Sequence, residues 1–117
     1  MLCPTGWHIP TDNEWTVLID YLGGRNVAGG KLKESCTSHW QGPNLGASNE
    51  TGFTAVPGGY RYWDGAFDLL GYYGYMWSSR ESDSDRIWSY EMSYDNSGVN
   101  MIENNPQDGL SIRCIRD

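Results

Sequence analysis

Residues 3–24 read CPTGWHIPTDNEWTVLIDYLGG and contain the clearest structural signal in the chain. Thr11 and Glu14 form a T-x-x-E capping box, in which a hydroxyl and a carboxylate satisfy backbone N–H groups at the start of a helix. The apolar residues follow the i, i+3, i+4, i+7 spacing of one helix face: Trp15, Leu18, Ile19 and Leu22. Gly23 suits the end of a helix. The stretch therefore predicts a helix from Asp12 to Leu22.

A second, shorter helix is predicted at Val27–Glu34, VAGGKLKE, where each glycine costs roughly 1 kcal/mol relative to alanine. The next segment, Ser38–Gly52, is rich in Gly, Pro, Asn and Ser, and this composition is typical of a loop.

The C-terminal half reads as short β-strands. Strands are predicted at Gly74–Ser79, Arg86–Tyr94, Val99–Ile102 and Leu110–Arg116, with a hairpin turn at Asp95–Gly98. Helices followed by antiparallel strands indicate an α+β arrangement. A length of 117 residues is typical of one domain, so we expect residues 1–117 to form a single domain.

The strand RIWSYEMSY alternates cleanly, which predicts two different faces. One face carries an aromatic row: Trp88, Tyr90, Met92 and Tyr94. The other carries Ser89, Glu91 and Ser93, which we expect to face solvent. Core positions are also predicted for four tryptophans: Trp7, Trp15, Trp77 and Trp88. The aromatic residues near glycine-rich turns are less constrained, and exposed rings there could stack on sugars or anchor a protein: Tyr62, Trp63, Tyr72, Tyr73 and Tyr75.

Charge excludes some partners. The formal net charge is -7, and eight Lys and Arg are scattered along the chain. Binding to nucleic acid or to an anionic membrane requires concentrated positive charge, so both are disfavoured. The apolar runs are far shorter than the ~20 residues of a spanning helix, so we expect no membrane insertion by this domain.

No metal or catalytic motif stands out. The three cysteines lack zinc spacing, and they leave two alternatives open: one disulfide with a free thiol, or three reduced thiols. The carboxylates of Glu81–Asp85, ESDSD, could converge on calcium, although a solvated acidic loop is the simpler interpretation. An unrelated ion site could use Asn44, Glu50, Asp64 and Asp68. We expect no cofactor, with calcium as the alternative. His8 is expected to be a structural hydrogen-bonder rather than a base.

Five segments occur in one order across almost the whole chain: CPTGWHIPTDNEW, AGGKLKE, NETGFTAVPGGYR, GYMWSS and GLSIRCIRD. Together they resemble the Fibrobacter succinogenes major paralogous domain, a family of exported domains common in Bacteroidetes. The resemblance implies a C-type-lectin-like fold on the branch near formylglycine-generating enzymes, with paired N- and C-terminal strands, two N-terminal helices and a small antiparallel sheet. It also implies a disulfide between Cys3 and Cys114, which would leave Cys36 free. The EPN, QPD and WND tripeptides of calcium-dependent lectins do not occur.

Residues 80–108 carry a second resemblance. They are rich in Asn, Asp and Ser on an aromatic framework, and this resembles the diversified surface of the variable proteins of diversity-generating retroelements. That resemblance implies a phage-associated or cell-surface receptor binder. An enzyme related to the formylglycine generators is a further alternative, with Cys114 as the candidate nucleophile unless it is bridged.

We therefore expect a non-enzymatic, extracytoplasmic binding module, secreted or on a cell surface. Its recognition surface is predicted on the C-terminal hairpin and loops, and its partner is a protein or glycan on a cell surface. Because this surface is acidic, cationic or neutral polar partners are favoured. The candidate binding residues are Trp63, Tyr73, Asp83, Asp85, Arg86, Ser89, Glu91, Ser93, Asn96, Asn100, Glu103 and Asn104.

Overall fold

The computed structural model describes residues 2–83 and 86–117. It has a mixed α+β architecture that is mostly β. Two short helices, α1 (Asp12–Tyr21) and α2 (Ala28–Leu32), precede most of the strands. The strands are β1 (Trp7–His8), β2 (Tyr60–Arg61), β3 (Phe67–Asp68), β4 (Tyr73–Asp83), β5 (Arg86–Ser93), β6 (Asn100–Asn104) and β7 (Ile115–Arg116). No helix in the described ranges is long and apolar enough to cross a membrane.

All the strand pairs are antiparallel. The main sheet has the order β4-β5-β6, and two small sheets pair β1 with β7 and β2 with β3. The pairing of β1 with β7 joins the two ends of the chain, as the sequence resemblance implies.

The first helix confirms the capping box. Thr11 Oγ1 accepts a hydrogen bond from the backbone N–H of Glu14 at 3.1 Å, and the Glu14 carboxylate accepts one from the backbone N–H of Thr11 at 3.1 Å. The helix ends at Tyr21, one residue before the predicted end, because Leu22 leaves helical geometry and acts as the C-terminal cap.

The glycines of α2 have a packing role that helix propensity does not reveal. A Cβ at Gly29 would lie 2.1 Å from the carbonyl oxygen of Gly98, and one at Gly30 would lie 2.3 Å from that of Gly46. The helix backbone therefore approaches the β5–β6 connection at Gly29 and the loop around Gly46 at Gly30 so closely that only glycine fits at these positions. The helix itself is shorter than the predicted Val27–Glu34.

The core lies between the main sheet and the helices. The ring of Trp15 stacks on Tyr90 at a centroid distance of 5.0 Å, and Met76, Met92 and Trp40 belong to the same buried cluster. Most of the predictions about tryptophan need correction. Trp77 and Trp88, which were predicted as core, are only half-buried and do not belong to the buried cluster. Trp7 is 44% exposed, because its two-residue strand lies on the outside of the fold. Trp40, which falls in a predicted loop, is 1% exposed and donates from its indole to the carbonyl of Ala55.

A disulfide joins Cys3 to Cys114 with a Cα–Cα distance of 5.9 Å, and Cys36 is a free, exposed thiol. This confirms the predicted bridge. The final strand is shorter than the predicted Leu110–Arg116, since Ser111 forms a parallel bridge with Met76 at the β4 edge before the chain turns to pair with β1. Disulfides persist in oxidising compartments, so the bridge indicates an oxidising, extracytoplasmic environment.

Candidate functional site

The main sheet has a second face, opposite the one that packs against α1. Alternate residues of a strand point to opposite sides, so Tyr73 and Tyr75 face away from the core residue Met76. Across the sheet Tyr75 pairs with Glu91, and Glu91 pairs with Asn100. We call this surface, with two tyrosines contributed by β2 and the turn after it, the tyrosine face: Tyr60, Tyr62, Tyr73, Tyr75, Glu91 and Asn100.

The tyrosine rings contact one another in a connected cluster. The Tyr60 ring lies 4.5 Å from Tyr62, edge to face, and 5.6 Å from Tyr75. The Tyr73 and Tyr75 rings stack at 6.1 Å. All three distances fall in the range of favourable aromatic pairs. Tyr75 is 6% exposed, while the other three rings are half-buried. The cluster therefore exposes part of three rings to solvent, packed against the buried ring of Tyr75.

A carboxylate lies at the centre of the tyrosine face. Glu91 is the cross-strand neighbour of Tyr75, so its charge lies close to the Tyr75 phenol. Asn100 Nδ2 donates to Glu91 Oε1 at 3.4 Å. Burial, together with the neighbouring Glu91 charge, raises the pKa of Tyr75, so the phenol keeps its proton at neutral pH. The surface therefore combines aromatic rings, an amide and an anionic acceptor.

A buried polar cluster supports this face from one side. The Tyr60 hydroxyl donates to Asp108 Oδ2 at 2.8 Å, and the same oxygen accepts from the backbone N–H of Asn105 at 3.1 Å. Burial and the hydrogen bond to Asp108 raise the pKa of Tyr60 to about 12. The Ser89 hydroxyl donates to the side-chain oxygen of Asn104. These bonds fix the position of Tyr60 over the sheet.

The expected exposure of Ser89, Ser93 and Asn104 is wrong: they are 0%, 3% and 4% exposed. Ser89 and Asn104 do lie on the face opposite the core, but residues 105–109 cross that face. The chain has to cross there because Asn104 ends the β6 edge strand, whereas Ser111 bridges Met76 on the opposite edge strand. Ser93 is buried at the end of β5, where its hydroxyl donates a hydrogen bond to the Asp95 carboxylate in the following turn.

Lys33 anchors the turn that follows β5. Its side chain is completely buried, and Nζ donates to the carbonyls of Leu45 at 3.0 Å, Ser93 at 2.8 Å and Asn96 at 3.0 Å. Three acceptors require three donors, which only the ammonium form supplies. Burial lowers the pKa of Lys33 to about 8, and the charge of Asp95 opposes that shift. The lysine thus holds the hairpin turn against the loop at Leu45.

A polar cleft of about 670 Å³ lies beside this turn. Its polar side chains are Arg25, Asn26, Asn96, Ser97 and Asn100. Asn100 belongs to both the cleft and the tyrosine face. The structure therefore brings together four of the predicted binding residues, Tyr73, Glu91, Asn96 and Asn100, in two adjoining surfaces.

The remaining predicted residues are dispersed. Trp63 is 64% exposed in the turn between β2 and β3. Arg86 is exposed and begins β5, whereas Glu103 is exposed but lies opposite Trp88, on the other side of the sheet from the tyrosine face. Asn100 lies in β6 within the predicted strand, and β6 continues to Glu103 and Asn104, beyond its predicted end at Ile102, because pairing with β5 extends that far. The Asp83 side chain and all of Asp85 lie outside the described residues.

The candidate catalytic and metal residues have structural partners. His8 donates to Asp117 at 2.7 Å and to Glu14 at 2.9 Å, which confirms its predicted role as a structural hydrogen-bonder. Cys114 is bridged and so is not a free nucleophile. Across residues 2–83 and 86–117, no group of three or more His, Cys, Asp or Glu side chains could hold a metal ion. The calcium prediction at Glu81–Asp85 falls partly outside the described residues.

The postulated alternative ion site is not assembled. Asp64 and Asp68 each accept a bond from a nearby backbone N–H, at Ala66 and Leu69. Asn44 is buried and donates to the carbonyls of Glu34 and Cys36. Glu50 Oε1 accepts from the Ser48 hydroxyl at 3.2 Å. Each of the four proposed ligands therefore has its own local partner.

Sequence reasoning named Tyr62 and Tyr75 among the rings that could be exposed but left both out of the candidate binding residues, and it did not name Tyr60. A signal was present, since the patterns Tyr60-Arg61-Tyr62 and Tyr73-Gly74-Tyr75 alternate with the period of a strand. What the pattern could not supply was the placement of β2 against β4, which brings the two pairs of rings together.

Comparisons with known proteins identify the family. The model of the Fibrobacter succinogenes major domain matches residues 1–116, which is almost the entire chain. No curated protein and no solved structure matches it.

Proposed function

We propose that this chain, which belongs to the Fibrobacter succinogenes major domain family, is a non-enzymatic extracytoplasmic binding module with a C-type-lectin-like fold. Its recognition surface is the tyrosine face together with the adjoining polar cleft. The ligand is a neutral or cationic polar group on a cell-surface glycan or protein.

The observation that carries the proposal is the tyrosine cluster around Glu91. Exposed edges of Tyr62 and Tyr73 offer flat apolar area at low cost in side-chain entropy, as tyrosine does in many recognition surfaces. Glu91 and Asn100 add an acceptor and a donor at a fixed position. Rings that stack and polar groups that fix orientation are what a sugar or a polar side chain requires.

Charge supports the choice of ligand class. The net charge of the chain is -7, and Glu91 lies within the tyrosine face itself. An anionic glycan or acidic peptide would be repelled there, whereas a neutral saccharide or a cationic side chain would not.

The framework supports a fixed recognition surface. The disulfide and the β1–β7 pair tie the chain ends together, and Lys33 ties the β5–β6 turn to a loop. A surface that is already ordered loses less conformational entropy on binding. Pairing of terminal strands is also what the proposed C-type-lectin-like fold requires.

The test is a screen of the purified, oxidised domain against arrays of glycans and cell-surface proteins, with and without a chelator. Hits are then measured with Tyr73→Ala and Asn100→Ala. Tyr21→Ala is the matched control, because Tyr21 is 86% exposed on α1, on the opposite side of the sheet. We expect both site variants to weaken binding and the control to leave it unchanged. Equal binding by all three variants would refute the proposed surface.

A further inference from the structure

A second surface, independent of the tyrosine face, lies where β7 meets α1. It is an apolar groove of about 350 Å³. Its apolar side chains include Trp7, Leu18, Phe53 and Ile115, of which Trp7 is 44% and Ile115 37% exposed. It shares no residue with the tyrosine face. An accessible apolar concavity of this size accommodates one or two large side chains.

The charges around the groove are positive and unpaired. Arg113 and Arg116 both line it. Within residues 2–83 and 86–117, neither guanidinium forms an ion pair with a carboxylate. The acidic residue in the lining, Glu14, is already occupied by bonds from His8 and the backbone of Thr11. Two unpaired arginines beside one apolar groove are notable in a chain whose net charge is -7.

One of the two arginines is held in place over the groove. The Arg113 guanidinium lies 4.2 Å from the centroid of the Phe53 ring and donates to the Phe53 carbonyl at 2.7 Å. An arginine ordered in this way loses little freedom when it binds a carboxylate, and its planar fork still has donors to offer.

The groove also has a linear wall. Residues 113–116 are consecutive and all line it, so the two guanidinium-bearing positions are separated by at most about 11 Å of chain.

We propose that the groove binds an extended peptide segment in which apolar side chains are flanked on both sides by carboxylates. The apolar side chains fill the groove, and the carboxylates pair with Arg113 and Arg116. A small molecule with one carboxylate would satisfy only one arginine.

Trp15 provides a spectroscopic reporter for binding. It lines the groove, is 2% exposed, and its indole N–H has no acceptor among the described residues. The chemical shift of this N–H, together with that of Trp7, is expected to change when a ligand occupies the groove.

The experiment is a nuclear magnetic resonance titration of the oxidised protein with a capped Glu-Leu-Phe-Glu peptide. Two matched peptides, Gln-Leu-Phe-Gln and Glu-Ser-Ser-Glu, separately remove the charge and the apolar part. Decanoate tests a single-carboxylate lipid. We expect saturable shifts of the Trp7 and Trp15 indole signals with Glu-Leu-Phe-Glu, and weaker binding of both matched peptides and of decanoate.

Arg116→Gln is the informative variant, since Arg116 is exposed and its replacement leaves the core intact. It should weaken Glu-Leu-Phe-Glu binding by about two- to fivefold, the effect of one exposed ion pair. Arg86→Gln, which removes the same charge from an exposed site outside the groove, should leave binding unchanged. The proposal is overturned by no shift at millimolar peptide, by equal losses in the two variants, by equal binding of Gln-Leu-Phe-Gln, or by a preference for decanoate.

Discussion

The close approach of α2 to the β5–β6 connection makes Gly29→Ala a sharp test of the packing. The new Cβ would lie 2.1 Å from the Gly98 carbonyl oxygen and 2.8 Å from that of Ser97, so backbone has to move. Alanine would add about 1 kcal/mol of helix propensity. Against this, overpacking costs about 2–3 kcal/mol where the obstacle is backbone. Displacement of α2 also weakens the bond from Gly30 N–H to the Ser97 carbonyl, worth about 1 kcal/mol.

The net expectation for Gly29→Ala is a loss of about 2–3 kcal/mol in the free energy of unfolding. Urea unfolding of the oxidised protein, followed by circular dichroism, measures it. Gly42→Ala is the control, because a Cβ there would meet no atom within 4 Å, and it should change stability by less than about 0.5 kcal/mol. A Gly29→Ala protein as stable as the parent would show that the close approach to Gly98 does not require glycine at this position.

Three other predictions concern the bridge, the ion network and the tyrosine face. Replacing both bridged cysteines (C3A/C114A) removes a loop constraint of 111 residues and should cost up to about 5 kcal/mol in urea unfolding; an unchanged midpoint would contradict this. The pKa of His8 is raised, so the stability that its ion pairs contribute is lost as pH rises above 6.5. The pKa of its partner Glu14 is lowered, so the same stability is lost as pH falls below 4.5. The stability difference between the parent and H8Q should therefore be largest between those values, and a difference independent of pH would refute the network. In E91Q the pKa of Tyr75 should fall, because a neighbouring negative charge is removed, and alkaline ultraviolet titration should show an earlier-ionising tyrosine; an identical titration would argue against the contact.

The sequence was informative where local chemistry decides the structure. The capping hydroxyl of Thr11 and the apolar period that includes Trp15 and Ile19 act within one helix, so α1 was predicted to within one residue. The alternation of β5 likewise placed Tyr90 and Met92 in the core. The pairing of Cys3 with Cys114 came from family resemblance, and no local pattern could have specified it.

Burial on the outer face of the sheet was not predictable in the same way. Ser89 and Asn104 follow the polar positions of their strands, but a segment from later in the chain covers them. Lys33 shows the same limit, because its three carbonyl acceptors come from residues 12 to 63 positions away and no local signal indicates a buried lysine. The sequence pattern therefore assigned Ser89 and Glu91 to the sheet face opposite the core, whereas the accessible part of that face had to be read from tertiary structure.

The central claim is that the tyrosine face is the recognition surface. The most direct measurement is chemical-shift mapping of the oxidised domain with a ligand identified on the arrays. The account predicts that the largest changes occur at Tyr60–Tyr62, Tyr73–Tyr75, Glu91 and Asn100. Changes centred on α1, with those residues unaffected, would contradict it.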